Sequence, residues 1–488
     1  MKEHYKSFRI TKILDPMLFL PLLLSVVLLS ACATVGPNYS PPEMKTPDTW
    51  QQDVAGATAD KKLQQEILAK WWTTFNDPVL SGLMEGAVTG NLSLKQALNN
   101  VRQARIQRGI TDTDRFPTVN ATGSAGRTYS NDMKGDFSGT NNFSLGLDAS
   151  WELDLFGGVK RSLEAADANI EVSQESYRDV LVSLLAEVAL NYVEVRSYQS
   201  QLSVAESNLK SQEETYNITK WRYQAGLTTG LDMENADKNL EQTRSQIPSL
   251  QSSLEQAKNR VAVLLGSEPG ALDSELDEYK PVPVAPNEIA LGIPADLLRR
   301  RPDLRKAERD IAAQTAKIGV AEADRYPKIS LSGNIGLSAL GLGDLFNSDS
   351  LSTGASSGIS WPVFNAGKIM KNIDLQWAVQ EQKQIAYKAA LLTALEDVEN
   401  ALTSYSNDQV KRVSLIKASG SAERAAETSR AQYSSGLIDF QSVLEAESTL
   451  LSLQNQVAQS DAQVITDLIS LYKALGGGWS SFETDVEN

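Results

Sequence analysis

The chain has 488 residues and a formal net charge of −15, with 46 lysine and arginine residues against 61 aspartate and glutamate residues. This acidic balance argues against a nucleic-acid partner, because affinity for nucleic acids depends on cationic side chains that neutralise phosphates. His4 is the only histidine and Cys32 is the only cysteine.

Residues 1–31 have the organisation of an export signal, with a basic start followed by the apolar stretch 17–29. That stretch is shorter than the roughly 20 residues of a typical transmembrane helix. It ends in Leu29-Ser30-Ala31-Cys32, which resembles the bacterial lipobox. The resemblance implies cleavage before Cys32, attachment of diacylglycerol to its thiol and acylation of the new N-terminus. Ala33 stands in place of an aspartate, which implies sorting to the outer membrane.

Removal of the signal would leave a chain with no histidine and one blocked cysteine. Histidine catalysis, thiolate chemistry and histidine or cysteine metal sites are therefore excluded, and nothing points to a carboxylate-pair mechanism. The sequence also has no GxxxxGK[ST] phosphate loop. We expect no enzymatic activity, no metal, and no cofactor other than the lipid on Cys32.

Residues 143–155 (FSLGLDASWELDL) alternate strictly between apolar odd positions and mostly polar even positions. This period of two predicts a β-strand with one apolar face. At about 3.3 Å per residue the strand would be roughly twice the usual length for globular proteins. Two interpretations remain open at this point, an edge strand of a soluble sandwich and a strand of a membrane barrel.

The sequence repeats itself at an offset of 210 residues. Arg115-Phe116-Pro117 corresponds to Arg325-Tyr326-Pro327, Trp151 corresponds to Trp361, and Leu265-Gly266 corresponds to Leu475-Gly476. Because separated anchors share one offset, the repeat indicates a duplication. We predict a signal peptide at 1–31, a lipidated tether at 32–70, repeats at 71–266 and 303–476, an interrepeat segment at 267–302, and a tail at 477–488.

Each repeat reads as a helix, two strands, a very long helix, a turn and another helix. The predicted strands are 118–129, 143–155, 328–340 and 353–363, with a polar loop at 130–142 and another near 341–352. The long helices are 159–225 and 367–435, each about 100 Å at 1.5 Å per residue. Both keep a heptad-like apolar stripe, and neither contains an apolar run long enough to cross lipid.

The long helices end at two similar turns, Tyr223-Gln224-Ala225-Gly226-Leu227 and Tyr433-Ser434-Ser435-Gly436-Leu437. A glycine just past the last helical turn is a common C-cap. Thr229 and Asp439 can then serve as N-caps of the returning helices. The sequence thus predicts two helical hairpins.

Several strings together resemble the TolC-like outer-membrane factor family, in its lipoprotein branch serving resistance–nodulation–division (RND) efflux systems. They are the lipobox, WW..F.DP.L at 71–80, ASWELDLFGG at 149–158, IPADLLRRRPDL at 293–304 and the two Y..GL turns. The resemblance covers nearly all of the mature chain. It implies an α+β membrane protein that forms, as a homotrimer, a 12-stranded outer-membrane β-barrel continued by a long periplasmic α-helical barrel. The implied partners are a periplasmic adaptor and an inner-membrane RND transporter.

The same resemblance assigns roles to particular residues. It implies adaptor-contact tips at Gly226, Leu227, Thr228, Gly436, Leu437 and Ile438. It also implies a periplasmic gate of Glu445 carboxylates, one per chain, with Asp439 and Asp232 as contributors. This sequence departs from the family pattern at Ser442 and Ile438, and the alternative for these carboxylates is an ordinary solvated surface. Trp151 and Trp361 are expected to anchor the barrel at the membrane interface.

The leading functional hypothesis is a passive exit duct for drugs, metals or other small molecules in a Gram-negative cell. A type I secretion duct would have the same fold and different partners. A lipid-anchored coiled-coil scaffold between envelope layers would form no channel.

Overall fold

The computed structural model describes residues 34–43, 46–51, 61–131, 137–286 and 298–482. The predicted signal peptide, Cys32 and part of the interrepeat segment lie outside these ranges. The α-helices are α1 Lys61–Ala69, α2 Pro78–Gly90, α3 Leu92–Thr113, α4 Gly158–Gln224, α5 Gly230–Leu264, α6 Asp273–Leu276, α7 Pro302–Ala323, α8 Lys368–Ser434 and α9 Phe440–Ala474. The strands are β1 Thr118–Asn131, β2 Phe137–Leu153, β3 Lys328–Ala339 and β4 Leu351–Ser360. Short 3₁₀ helices occur at Trp71–Phe75, Leu342–Asp344, Ser348–Ser350 and Trp479–Phe482.

The described residues form two compact units. The first, called the sheet unit below, consists of the described residues within Met1–Pro41, Gln103–Ile170 and Arg309–Ile385. The second, called the helical unit, consists of the described residues within Pro42–Arg102, Glu171–Glu308 and Ala386–Asn488.

The sheet unit contains one antiparallel sheet with the strand order β1-β2-β3-β4. Leu147 of β2 pairs with Ala121 of β1 and with Ile335 of β3. Since directly paired residues share a face, this register collects the apolar odd positions on one side of the sheet. Many of the large side chains on that side are exposed: Val119, Leu145, Leu147, Trp151, Leu331, Ile335, Leu351 and Ile359.

The opposite face of the sheet is polar and is held by hydroxyl contacts between strands. Ser124 and Ser144 share a hydrogen bond of 2.7 Å, and the Thr122 hydroxyl donates to Asp148 at 2.7 Å. Ser332 and Ser356 make a similar 2.7 Å contact between β3 and β4. The sheet is therefore apolar on one side and hydroxyl-rich on the other.

The strand ends differ from the predicted ones. Residues 137–142 belong to β2, which starts six residues before the predicted strand at 143, and β1 extends to Asn131. The prediction of a loop over 130–142 was wrong at 130–131 and at 137–142, because backbone pairing continues to Asn131–Phe137, beyond the point where side-chain alternation stops. Residues 132–136 lie outside the described ranges. β4 runs from Leu351 to Ser360 rather than from 353 to 363. It ends before Pro362, whose ring nitrogen cannot donate to a ladder.

The predicted duplication is visible in the local geometry of the sheet unit. The indole N–H of Trp151 donates to the Arg115 carbonyl at 3.1 Å, and that of Trp361 donates to the Arg325 carbonyl at 3.0 Å. In the helices, α4 and α8 each have 67 residues and α5 and α9 each have 35. Both pairs are separated by 210 residues along the chain.

The core of the helical unit is built from the predicted apolar stripes. The following stripe residues are buried: Leu181, Leu184, Leu185, Val188, Tyr192 and Val195 on α4, and Leu391, Ala394, Val398, Leu402 and Tyr405 on α8. Full burial of one such aliphatic or aromatic side chain stabilises the fold by about 1.5–3 kcal/mol. No helix within the described ranges has a stretch both long and apolar enough to cross a membrane.

The WW..F.DP.L string has a structural role in this core. Trp71 stacks on Tyr472 with ring centroids 5.5 Å apart. The Asp77 carboxylate caps α2 by accepting from the Val79 N–H at 2.9 Å and the Leu80 N–H at 3.2 Å. It also accepts a hydrogen bond from the buried Tyr192 hydroxyl on α4. The aspartate therefore satisfies both a helix end and a core hydroxyl.

Candidate functional site: the hairpin tips

The two helical hairpins turn through left-handed glycines. Gly226 has φ +70° and Gly436 has φ +73°. The Leu227 N–H donates to the Arg222 carbonyl at 2.8 Å, and the Leu437 N–H donates to the Gln432 carbonyl at 2.9 Å. Together with hydrogen bonds from each glycine N–H to the carbonyl three residues earlier, this geometry forms a Schellman C-cap.

The capped turns leave their leucines in solvent. Leu227 is 67% exposed and Leu437 is 75% exposed. Thr228 and Ile438, the next residues, are half-buried. Ile438 packs against a small cluster around Tyr433 and Phe440. Each tip thus presents one apolar side chain outward on a turn whose backbone is fixed by hydrogen bonds.

Asp232 caps the first returning helix. Thr229 and Asp232 form a capping box, in which the Thr229 hydroxyl accepts from the Asp232 N–H and the Asp232 carboxylate accepts from the Thr229 N–H. The Thr228 hydroxyl also donates to Asp232, at 2.7 Å. The Thr228 and Thr229 hydrogen bonds hold the pKa of the Asp232 carboxyl below its usual value. Asp232 is therefore an ionised cap.

Asp439 has the equivalent position on the second hairpin. It accepts hydrogen bonds from the Ser442 hydroxyl at 2.7 Å and from the Ser442 N–H at 3.0 Å. These bonds lower the pKa of Asp439, while the nearby negative charge of Asp232 opposes the shift. Ser442, a departure from the family pattern, therefore has a local role as the cap's partner.

Glu445 is exposed on α9, a little under one turn beyond Ser442. Within the described parts of the chain it makes no hydrogen bond or ion pair with another side chain. Of the three predicted gate carboxylates, Asp232 and Asp439 are thus helix caps, with the charge of Asp232 acting on Asp439, and Glu445 is an exposed side chain. The predicted ring of Glu445 carboxylates concerns several chains and stays a prediction.

Arg222 joins the two tips and was missed by the sequence reasoning. Its guanidinium donates to the Tyr433 carbonyl at 2.9 Å and lies 4.7 Å from the centroid of the Tyr433 ring. A Cβ placed on Gly436 would be 3.7 Å from the same guanidinium. The available signal was a basic residue in the last turn of α4, a position that in the second repeat is Gln432.

Glu447 was also missed, and it lies two residues after Glu445. Its buried carboxylate accepts a hydrogen bond from the Thr215 hydroxyl at 2.7 Å and lies 3.9 Å from the Arg430 guanidinium. Burial raises the pKa of Glu447. This residue ties α9 to α4 and α8 and is a packing element of the hairpins.

The remaining predicted residues lie elsewhere. Trp151 and Trp361 lie in the sheet unit, exposed, with their indole N–H groups bonded to backbone carbonyls. Their role as membrane anchors stays a prediction. In the arginine-rich string, Arg301 is buried and donates to the Ala474 carbonyl at 2.7 Å, beside Asp303 and Asp397. It stabilises the end of α9.

An exposed apolar face of this size marks a surface that contacts a membrane or another protein, and this chain carries it together with two long helical hairpins. A family model described as outer membrane efflux protein matches residues 83–267 and again 293–477. The chain belongs to this family. It is an outer-membrane protein that extends into the periplasm, as the motifs predicted.

Similar proteins cover nearly the whole chain. Nodulation protein T of Rhizobium leguminosarum bv. trifolii is 32% identical over 462 residues, covering 93% of this chain and 96% of that protein. The cation efflux system protein CusC of Escherichia coli O6:H1 is 32% identical over 471 residues, covering 96% of this chain and 100% of that protein. The solved outer-membrane channel OprN superposes with a TM-score of 0.82 at 34% identity, covering 92% of this chain and 100% of OprN.

Proposed function

We propose that three copies of this chain form a passive exit duct across the outer membrane. The observation that carries the proposal is the four-stranded sheet with an exposed apolar face. Within the described sheet, β1 and β4 each have a neighbour on one side only. Unpaired strand edges are not tolerated in lipid, and membrane barrels need about eight or more strands. Three chains would pair every edge in a barrel of about twelve strands.

In this barrel the apolar face contacts lipid and the hydroxyl-rich face lines the channel. Serine, threonine and asparagine side chains interact with water and discriminate little between solutes. The duct therefore passes small molecules delivered to it, with drugs and metals as the expected classes. The name of CusC, a cation efflux system protein, supports the metal class.

The tips supply the contact with the rest of the pump. Leu227 and Leu437 are exposed apolar side chains on rigid turns, which suits docking against the hairpin of a periplasmic adaptor. Thr228 and Ile438 complete the two contact turns. An inner-membrane RND transporter would then supply the energy through this adaptor.

Two further elements belong to the proposal. Cys32 carries the diacylglycerol and N-acyl chains, since several acyl chains give durable anchoring. At the periplasmic end, Arg222 holds the two tips of one chain together, and Glu445 from each chain forms an acidic constriction. Like charges crowded in a pore favour cations.

Conductance in planar bilayers tests the duct. Purified protein should form trimers and conduct ions, and a protein that forms no channel even with altered tips would support the scaffold alternative. Glu445→Ala should raise conductance and admit large antibiotics to cells. The matched control is Glu423→Ala, which changes an exposed glutamate on a different helix, α8. Equal conductance in the two variants would remove Glu445 from the gate.

A further inference from the structure

The segment directly after Cys32 is seated in the sheet unit by a buried arginine. The Arg161 side chain, on the first turn of α4, is only 5% exposed. Its guanidinium donates to the Val35 carbonyl at 2.9 Å, to the Gly36 carbonyl at 3.0 Å and to the Asn38 side-chain oxygen at 2.9 Å. Glu164 accepts from the same guanidinium at 2.6 Å. One side chain thus binds three acceptor oxygens of the segment 34–38, which is called the strap below.

The residues that contact the strap, namely Phe156, Gly157, Arg161 and Gly319, are called the seat below, and they fit the strap closely. The Val35 N–H donates to the Phe156 carbonyl at 3.2 Å. A Cβ on Gly36, which has φ +87°, would lie 2.4 Å from the Gly319 Cα atom on α7. A Cβ on Gly157 would lie 2.8 Å from the Thr34 side chain. Backbone therefore touches backbone where strap and seat meet, and only glycine permits this approach.

The duplication provides an internal comparison. The residue 210 positions after Arg161 is Lys371, whose side chain is 83% exposed and pairs only with neighbouring Asp374 in the described structure. The residue 210 positions before Gly319 is Gly109, where an added Cβ would meet nothing within 4 Å. The corresponding residues, Lys371 in the second repeat and Gly109 in the first, thus form no second seat in the described structure. The seat draws on both repeats, so it is a special feature of one place and not a general requirement of the fold.

The position of the strap bears on the lipid. Val35 is bonded to Phe156, three residues after the end of β2 at Leu153. Cys32 precedes Val35 by three residues, and three residues of chain span at most about 11 Å. The apolar residues of the sheet at this end of the strands are Trp151, Leu153, Ile329 and Ile359.

We propose that Arg161 is a positioning residue that docks the strap, so that the acyl chains on Cys32 enter the membrane beside this end of the sheet. The lipid then packs against the barrel wall at a fixed depth, instead of anchoring the protein through a flexible N-terminal segment. This inference rests on the proposed lipidation of Cys32.

The test uses cells fed a palmitate analogue that carries a photoreactive diazirine and an alkyne. After irradiation, lipid-to-protein crosslinks in the full-length protein are mapped by mass spectrometry. We expect crosslinks concentrated at 151–153, 329–331 and 357–359. Arg161→Ala should reduce this concentrated fraction several-fold, and Gly36→Ala, which acts from the strap and leaves the helices unchanged, should do the same. Lys371→Ala is the matched control and should match the wild type.

Three outcomes are distinct. Crosslinks that Arg161→Ala and Gly36→Ala leave unchanged would overturn the proposal, as would wild-type crosslinks scattered over the sheet. An absence of alkyne label on the protein would overturn lipidation itself. In that case a spin label on Ser40→Cys, in a Cys32→Ser background that leaves no other thiol, still reports the strap. Its motion should be slow in the Lys371→Ala protein and several-fold faster in the Arg161→Ala protein. Equal motion in the two would refute the role of Arg161.

Discussion

Replacing Gly226 with alanine should lower the free energy of opening the first tip by about 1 kcal/mol, even though there is open space for a methyl group. A Cβ on Gly226 would meet nothing within 4 Å, so the cost arises from its φ of +70° alone. Left-handed backbone costs a residue with a Cβ roughly 1–2 kcal/mol, and the loss of glycine's freedom in the unfolded chain returns part of this. Asparagine tolerates the left-handed region, so Gly226→Asn should cost less.

Gly109 is the control for this reasoning. It also has nothing within 4 Å of an added Cβ, but it lies inside α3. Gly109→Ala should therefore stabilise its helix by about 0.5–1 kcal/mol. The two alanine variants have the same chemistry and the same free space, and they differ in the sign of the expected effect.

Hydrogen exchange at the tip measures the effect directly. The Leu227 N–H, bonded to the Arg222 carbonyl, should exchange about five-fold faster in Gly226→Ala, since about 1 kcal/mol corresponds to that factor. It should be unchanged in Gly109→Ala. The reasoning is refuted if the Leu227 amide exchanges equally in the wild type and in Gly226→Ala.

Four further outcomes are expected. Gly436→Val should distort the second tip, because a β-branched residue resists φ > 0. Adaptor binding in a pull-down should then be lost, while size-exclusion chromatography should still show the trimer. Loss of the trimer would instead make the glycine structural. Arg222→Ala should raise conductance because it removes the bond to the Tyr433 carbonyl, and Arg222→Lys should lie between; equal conductance in all three would exclude a latch. Asp77→Ala should lower the melting temperature, because it removes the cap of α2 and leaves the Tyr192 hydroxyl unpaired; the cap alone contributes about 1–2 kcal/mol. Asp77→Asn keeps a capping oxygen and should cost less. Equal losses in the two variants would count against the cap. Burial, together with the neighbouring Asp408 carboxylate, raises the pKa of Asp467 to about 6. The folded protein therefore binds more protons than the unfolded chain above the normal aspartate pKa, and the melting temperature should fall from about pH 4 upward until Asp467 ionises. Asp467→Asn should flatten that slope, and an unchanged slope would contradict the reasoning.

The sequence by itself determined the elements whose signals are local. Strand alternation, the helical stripes and the glycines at 226 and 436 each act through neighbours within a few residues, so the pattern predicts the structure. The 210-residue repeat extended these predictions from one half to the other. The strand ends were harder to predict because backbone pairing continues where side chains no longer alternate.

Only the tertiary structure decided which distant side chains meet. Arg222 with Tyr433, Glu447 with Thr215, and Arg161 with Val35 are contacts across 211, 232 and 126 residues of chain. No periodicity marks such pairs, because long-range packing alone brings them together. For the same reason, only the structure distinguishes the roles of the three carboxylates at the tips. Asp232 and Asp439 accept hydrogen bonds from their own helix ends, and Glu445 is exposed to solvent.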